Sequence, residues 1–185
     1  MKRHYFIFIF ILLTFLLPLF PGRVSAEEAI KVKLIQAERY GKEGKPDFAF
    51  LELRDLLQRY PEGSHVAEVE FGLAEYLFLQ RNFSEATGAF QRSLSKLNYD
   101  SIPRVLGQIY LLKCREKTSG RTDSSPELLA QLKQELSSQK FFEAFDDKRT
   151  QTWQSPLGNL YTLDEFVDHL EVLLNGQPFY TITIP

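Results

Sequence analysis

An internal repeat constrains the fold of this 185-residue chain more than any other feature of its sequence. Ala49 and Ala86 stand 37 positions apart, and the same shift relates apolar residues on both sides of them. In each unit the apolar residues recur at the spacing of a helix face, which indicates two amphipathic helices joined by a polar turn. The small alanines mark places where helices approach closely. The further equivalent pairs are Ala37 and Ala74, Tyr40 and Leu77, Leu53 and Phe90, and Leu57 and Leu94.

Helix-breaking and capping residues separate the predicted helices. Pro61 and Gly63 end the second helix, and Ser64 is predicted to cap the third through its hydroxyl. Asn82, with Glu85 three residues later, has the form of a capping box at the start of the fourth helix. Two more helices are predicted after Ser101 and Ser125, and they carry Leu106, Tyr110 and Cys114, and then Leu128, Leu132 and Leu136.

Fourteen of the repeating positions carry a resemblance to a known family: Ala37, Tyr40, Gly44, Ala49, Leu53, Leu57 and Pro61, and then Leu73, Ala74, Leu77, Phe83, Ala86, Phe90 and Leu94. Residues 30–97 resemble two tetratricopeptide (TPR) units, and residues 106–110 are similar to the first helix of a third. The Tyr60-Pro61 link to Ser64 is similar to that of exported envelope TPR proteins of the Tol-Pal and outer-membrane assembly type. The resemblance implies a mainly α fold, with a short TPR-like helical solenoid of about two to three repeats over residues 27–138.

The first 26 residues have the features of a secretory signal peptide. Lys2 and Arg3 precede an apolar run over residues 5–20, and the small residues Val24 and Ala26 follow it. Cleavage is predicted after Ala26, because small side chains fit the two positions that a signal peptidase recognises. The alternative is an uncleaved anchor, but the run is shorter than the roughly 18 to 20 residues that span a bilayer comfortably. We therefore predict a periplasmic or secreted protein.

Charge and cysteine content narrow the classes of partner. Without the signal peptide, 19 Lys and Arg residues against 24 Asp and Glu residues give a formal charge of −5. Mild acidity with no block of basic residues argues against binding to nucleic acid or to anionic lipid.

The single Cys114 cannot form an internal disulfide, and its place on an apolar helix face predicts a buried thiol.

The C-terminal segment begins with a second capping-box pattern. Thr162 and Glu165 open a predicted helix, and Asn175-Gly176 end it with residues that tolerate positive φ. The predicted helix carries Phe166, Leu170 and Leu173 on one side.

A different pattern follows this predicted helix. Residues 179–184 are aromatic and β-branched, which favours a strand. A single strand cannot satisfy its own backbone, so its partner is predicted to be residues 150–153, residues 160–161 or a strand of another protein. The chain is thereby divided into a signal peptide over 1–26, the repeats over 27–138 and a small α+β C-terminal extension over 139–185.

The sequence offers little catalytic or metal-binding chemistry. Glu165 and His169, four residues apart on the predicted helix, supply too few ligands for a metal, so a solvated charged face is the preferred interpretation. The chain has no Gly-x-Ser-x-Gly, glycine-rich phosphate loop or HExxH sequence. We expect a protein that is not an enzyme and has no metal or cofactor.

The register of the repeats places the first helix of each unit along one concave surface, where peptides or partner helices dock in such folds. An aromatic pair, Phe71 and Phe78, beside charged residues suits a peptide; the alternative is that both rings belong to the core between repeats. The Lys and Asn clamp of cytosolic chaperone-binding TPRs is not matched, since Leu34, Phe71, Glu38 and Glu75 stand at its positions. The predicted partner-binding groove consists of Glu38, Lys42, Phe71, Glu75, Phe78, Arg104, Gln108 and Leu111.

These patterns favour a non-catalytic exported scaffold or adaptor that mediates protein-protein interactions in the bacterial cell envelope. Its expected partner is an envelope protein or peptide, with no nucleic acid and no stable membrane span after cleavage. One alternative is an accessory subunit of an envelope enzyme or transport machine whose C-terminal tail holds a ligand. Another is a structural subunit that associates with itself through the strand over residues 179–184.

Overall fold

The computed structural model describes residues 25–98, 101–119, 126–137, 150–166 and 169–183. Helices come first in the chain and are followed by a C-terminal antiparallel sheet, so the described fold is mainly α. The predicted signal peptide, apart from its last two residues, lies outside these ranges. The elements are α1 (Ala26–Lys42), α2 (Pro46–Arg59), α3 (Val66–Leu79), α4 (Phe83–Leu94), α5 (Ile102–Ser119) and α6 (Pro126–Ser137), then β1 (Thr150–Gln154), β2 (Leu160–Glu165), β3 (His169–Leu174) and β4 (Gln177–Thr183).

The two helix pairs α1/α2 and α3/α4 follow the period read from the sequence. α1 ends at Lys42 and α3 at Leu79, while α2 begins at Pro46 and α4 at Phe83, so both boundaries are shifted by 37 residues. The alanines predicted to allow close helix contact, namely Ala37, Ala49, Ala74 and Ala86, are all fully buried.

The turn inside each pair has the same backbone geometry. Gly44 has a φ of 71° and Arg81, 37 positions later, has a φ of 61°. The next N–H, of Lys45 or Asn82, donates to the carbonyl five residues earlier, at 2.8 Å and 2.9 Å. A left-handed residue followed by such a bond is a common way to end a helix, although it is uncommon for a residue other than glycine.

The structure confirms one of two predicted helix caps and contradicts the other. The Asn82 side chain accepts from the Glu85 N–H at 3.4 Å, which confirms the predicted cap of α4. The predicted Ser64 cap of α3 is wrong, because His65 precedes the helix and makes no side-chain cap bond. A turn replaces it, in which the Val66 N–H donates to the Gly63 carbonyl at 3.2 Å.

The C-terminal sheet has the strand order β1-β2-β3-β4, with every neighbouring pair antiparallel. The helix predicted from Thr162 is therefore wrong, since that segment forms β2 and β3. Tyr161 and Leu163 on β2, and Leu170 and Val172 on β3, are buried at a period of two, which is the pattern of a half-buried strand. Glu165 and His169 accordingly do not share a helix face.

The predicted strand near the C-terminus is confirmed as β4, but its predicted partners are wrong. It pairs with β3, while residues 150–153 and 160–161 belong to β1 and β2 and pair with each other. Asn175 and Gly176 have φ values of 50° and 76°, as predicted, and they close the β3-β4 hairpin instead of ending a helix.

Helices and sheet share one large core. The core cluster around Phe71 and Tyr110 includes residues of α3 to α6 and of β2, β3 and β4. A smaller cluster joins α1, α2 and α3 and also contains Leu157, from the β1-β2 turn. Cys114 is fully buried and free, as predicted. The larger cluster therefore contains residues from both sides of the boundary predicted at residue 138.

Candidate functional site

The sheet lies on α1, α3 and α5, which are the first helices of successive pairs. The β1-β2 turn, residues 155–159, approaches Gly41 of α1 and Gly72 of α3. Tyr110 of α5 contacts the rings of Tyr161 and Phe179, on β2 and β4. The surface that the sequence predicts as an open concave groove is therefore filled by the chain's own C-terminal segment.

Two glycines allow the backbones of α1 and the β1-β2 turn to meet. A Cβ atom placed on Gly41 would overlap the carbonyl oxygen of Leu157 and would lie 2.5 Å from its carbonyl carbon. A Cβ atom on Gly158, where φ is 82°, would lie 2.6 Å from the carbonyl oxygen of Glu38. Any side chain at either position would force helix and turn apart.

Phe71 is the aromatic centre of the contact between helices and sheet. Its ring is fully buried and stands edge-on to Phe90 at 5.4 Å, Tyr110 at 6.0 Å, Trp153 at 5.0 Å and Tyr161 at 6.5 Å, measured between centroids. Edge-to-face arrangements at these distances are favourable for aromatic rings. One side chain of α3 therefore touches α4, α5, β1 and β2.

Glu75, one turn after Phe71 on α3, is a fully buried carboxylate under the sheet. Its Oε1 accepts hydrogen bonds from the Asn159 side chain at 2.8 Å and from the Tyr161 hydroxyl. The Tyr161 hydroxyl lies 2.6 Å from that of Tyr110. Glu75 Oε2 has no hydrogen-bond partner among the described residues. The carboxylate thus links α3 to the β1-β2 turn, to β2 and, through Tyr161, to α5.

Burial dominates the electrostatics of this network. Removal from water raises the pKa of Glu75 from 4.5 to about 7, although hydrogen bonds from Ser155, Tyr161 and Asn159 oppose the rise. The pKa values of Tyr110 and Tyr161 are raised well above the usual range, first by burial and then by the negative charge of Glu75. A carboxyl group whose pKa lies this far above the usual range is rare.

The predicted groove residues do not form a surface open to a partner. Phe71 and Glu75 are buried under the sheet, and Phe78 packs against the same core, so the core interpretation of the aromatic pair describes the structure. Glu38 and Lys42 form an exposed ion pair at 2.6 Å on α1. Arg104, Gln108 and Leu111 are buried on α5.

An apolar surface remains on the other side of the first helix pair. Ile35 and Val32 precede the buried Ala37 by two and five positions, and Leu51 and Phe48 precede the buried Leu53 by the same intervals. These intervals place the four side chains about 140° to 160° round each helix from its buried side. We call them the outer face of α1 and α2: Val32 is 56% exposed, Ile35 57%, Phe48 55% and Leu51 47%.

Ion pairs border this outer face. The Lys33 ammonium group lies 2.7 Å from Glu52 and 2.7 Å from Asp55, and Arg59 contacts Asp55 at 2.8 Å. Hydrogen bonds from Lys33 and Arg59 lower the pKa of Asp55. The charges that neighbour these apolar side chains in sequence are thus paired with one another, and they join α1 to α2.

The sequence did not identify Gly41, Gly158, Asn159 or Tyr161 as important. The run Ser155-Pro156-Leu157-Gly158-Asn159 carries a turn signal, but a turn signal does not say which helix the turn will meet. In the ranges that the structure covers, no three His, Cys, Asp or Glu side chains are grouped to hold a metal. No helix in the same ranges is long and apolar enough to cross a membrane.

No family model, curated protein or solved structure matches the chain.

Proposed function

We propose that this protein is a non-catalytic, exported, TPR-like scaffold that binds another protein of the bacterial cell envelope through the outer face of α1 and α2. The observation that carries the proposal is the exposure of four large apolar side chains on one side of one helix pair. Contiguous exposed apolar surface on a folded protein marks interaction sites more often than scattered apolar residues do.

The position of this face in the fold supports a docking role. Each helix from α1 to α5 packs against the next one along the chain, so α1/α2 is the first layer of the stack. In stacked helical repeats the terminal layer needs a polar outer side to remain soluble. Here Val32, Ile35, Phe48 and Leu51 occupy that side instead, and an apolar helical surface of a partner would continue the stack.

The charge pattern supports a specific partner over non-specific association. Lys33, Glu52, Asp55 and Arg59 form a chain of paired charges of both signs that joins α1 to α2. Charges next to an interface disfavour partners whose charges do not match, because an unpaired charge at an interface is costly. We infer a protein partner that presents apolar side chains together with charges of both signs.

The TPR-like assignment rests on the repeat itself. Helix ends, buried alanines and the positive-φ residues Gly44 and Arg81 all recur at the 37-residue shift. Two copies of one helix-turn-helix unit in tandem are typical of a short solenoid.

A photo-crosslinking residue tests the outer face in the native envelope. Placed at Phe48, it is expected to give one discrete adduct with another envelope protein, while the same residue at the exposed Gln91 of α4 gives none. With that partner purified, Leu51→Glu should raise the Kd at least about tenfold, because a charge would enter the apolar centre. Gln91→Glu, the same change of charge on the second repeat, should change the Kd less than about twofold.

Three results would overturn this proposal. An adduct between two copies of the chain would indicate self-association, and equal labelling from both positions would indicate non-specific contact. Unchanged affinity in Leu51→Glu would place the binding surface elsewhere. Thermal unfolding serves as the folding control, since Leu51 is exposed and its replacement should leave the Tm nearly unchanged.

Export is expected to remove residues 1–26, and intact mass of the envelope protein checks this directly. The Ser25 hydroxyl accepts from the Glu28 N–H at 3.1 Å and caps α1, so cleavage after Ala26 also removes this cap. Loss of such a cap typically costs about 1 kcal/mol. A mass that retains the first 26 residues would support the uncleaved anchor.

A further inference from the structure

We propose that the β1-β2 turn, residues 155–159, is a proton-controlled latch on the concave surface, seated while Glu75 is protonated and released when Glu75 is ionised. Residues 155–159 are called the latch from here on. The latch lies on a different surface from the outer face of α1 and α2. Its release can therefore be tested independently of partner binding.

The central residues of the latch, 156–158, are held by contacts without charge. Leu157 is almost fully buried in the core cluster of α1, α2 and α3, and the Pro156 ring lies over Gly72 of α3. Gly158 lies against the backbone of α1 at Glu38 and Lys42, whose own side chains pair with each other.

The two end residues of the latch, Ser155 and Asn159, lie at Glu75. Asn159 donates to Oε1 at 2.8 Å, and Ser155 stands beside the same carboxyl group. Seating the latch therefore encloses the carboxyl group completely and leaves Oε2 without a hydrogen-bond partner in the described part of the chain. A buried carboxylate with one unpaired oxygen is tolerated when protonated and costly when ionised.

The groups around Glu75 offset its negative charge only in part, through hydrogen bonds. The Tyr161 hydroxyl of β2 donates a hydrogen bond to Glu75, and the Tyr110 hydroxyl of α5 lies next to that of Tyr161. The Cys114 thiol lies near Tyr110 and contributes to its raised pKa. All three of these groups are neutral at physiological pH, and Ser155 and Asn159 do not titrate. No Lys, Arg or His of the described residues contributes to the shift of the Glu75 pKa.

The Glu75 pKa differs between the seated and released states of the latch, and this difference determines how seating depends on pH. With the latch seated the Glu75 pKa is about 7, and with the latch released and the carboxyl group in water it returns towards 4.5. The seated state thus binds the proton more tightly. Its advantage is complete below about pH 4.5 and declines as the pH rises to about 7, by up to roughly three-hundredfold in the seating equilibrium.

The single tryptophan of the chain provides the readout. Trp153 lies in β1, two residues before the latch, and its ring stacks edge-on against Phe71. Fluorescence of Trp153 and amide exchange at Gly158 are measured from about pH 4 to 8, with exchange rates corrected for intrinsic pH dependence. We expect both to change with one midpoint between about pH 4.5 and 7, while the far-UV circular dichroism of the helices stays constant.

Two variants identify the group responsible. Glu75→Gln should remove the transition and keep the latch seated at every pH, because a neutral amide has no proton to lose. Asn159→Ala removes a hydrogen bond between the latch and Glu75, which weakens the seated state and should move the midpoint downward. Glu165→Gln, which makes the same chemical change at a residue of β2 outside the latch, should leave the midpoint unchanged.

Each contrary outcome decides against the latch. A wild-type protein without a pH transition, or a transition that survives in Glu75→Gln, would exclude Glu75 as the controlling group. Loss of helical circular dichroism at the same midpoint would mean that the whole protein unfolds, so that no latch is released separately. If Glu75→Gln does not fold, an unshifted midpoint in Asn159→Ala overturns the proposal by itself.

Discussion

Gly41→Ala is expected to destabilise the protein by about 3 kcal/mol or more, although alanine is the better helix former. The added methyl group would occupy the position of the Leu157 carbonyl oxygen. A flexible side chain moves aside at small cost, but here the obstacle is backbone that also carries Pro156 and Gly158 against the helices. The latch therefore has to leave α1, and Leu157 loses its burial. Urea unfolding at pH 6 measures the effect.

Gly88→Ala is the matched control for this substitution. Gly88 lies inside α4, and a Cβ atom there would meet only the end of the Arg92 side chain at 3.7 Å. The same chemical change should therefore stabilise the protein by about 0.5 to 1 kcal/mol, through helix propensity. If Gly41→Ala is as mild as Gly88→Ala, the close approach of α1 and the latch is not a feature of the folded protein.

The helical part of the fold follows from local sequence. The 37-residue shift gave the register of both helix pairs, and Ala37, Ala49, Ala74 and Ala86 lie in the core as that register requires. Contacts within and between successive helices are close in sequence, so a repeating pattern is enough to predict them. The shared left-handed turn at Gly44 and Arg81 was less visible, because arginine gives no signal for positive φ.

The sheet was harder to predict because two local signals compete in it. Thr162 and Glu165 have capping-box spacing, yet both lie in β2, where burial alternates at every second residue. Asn175-Gly176 ends a helix or closes a hairpin equally well. The hairpin is favoured here because the backbone of β4 requires hydrogen bonds from a neighbouring strand. β3 provides them over residues 169–174.

The predicted concave surface shows what a single-sequence pattern cannot supply. The register placed Phe71, Glu75, Arg104 and Gln108 along this surface, on the segments that form α3 and α5, but it did not indicate what covers them. Glu75 and Asn159 are 84 positions apart, and no repeat or motif connects them. A charged residue on a predicted exposed face therefore proved to be a buried carboxyl group with a raised pKa.

Phe71→Ala is expected to cost about 3 to 5 kcal/mol, a large part of the 5 to 15 kcal/mol by which domains are typically stable. The ring contacts Phe90, Tyr110, Trp153 and Tyr161, so its removal opens a cavity between three helices and the sheet. The surrounding rings come from four different elements and cannot collapse into the space together. Urea unfolding and Trp153 fluorescence report the loss of stability and of ring packing.

Phe48→Ala removes the same side-chain atoms from the outer face of α1 and α2. Together the two variants distinguish the role of Phe71 in the core from the expected role of Phe48 in partner binding. Phe48 is 55% exposed, so its loss should change the free energy of unfolding by less than about 1 kcal/mol while weakening partner binding. If Phe71→Ala instead leaves stability intact and abolishes partner binding, the concave surface is open in solution, and the sheet covers it only part of the time. Equal loss of stability in both variants would mean that the outer face is itself covered by structure.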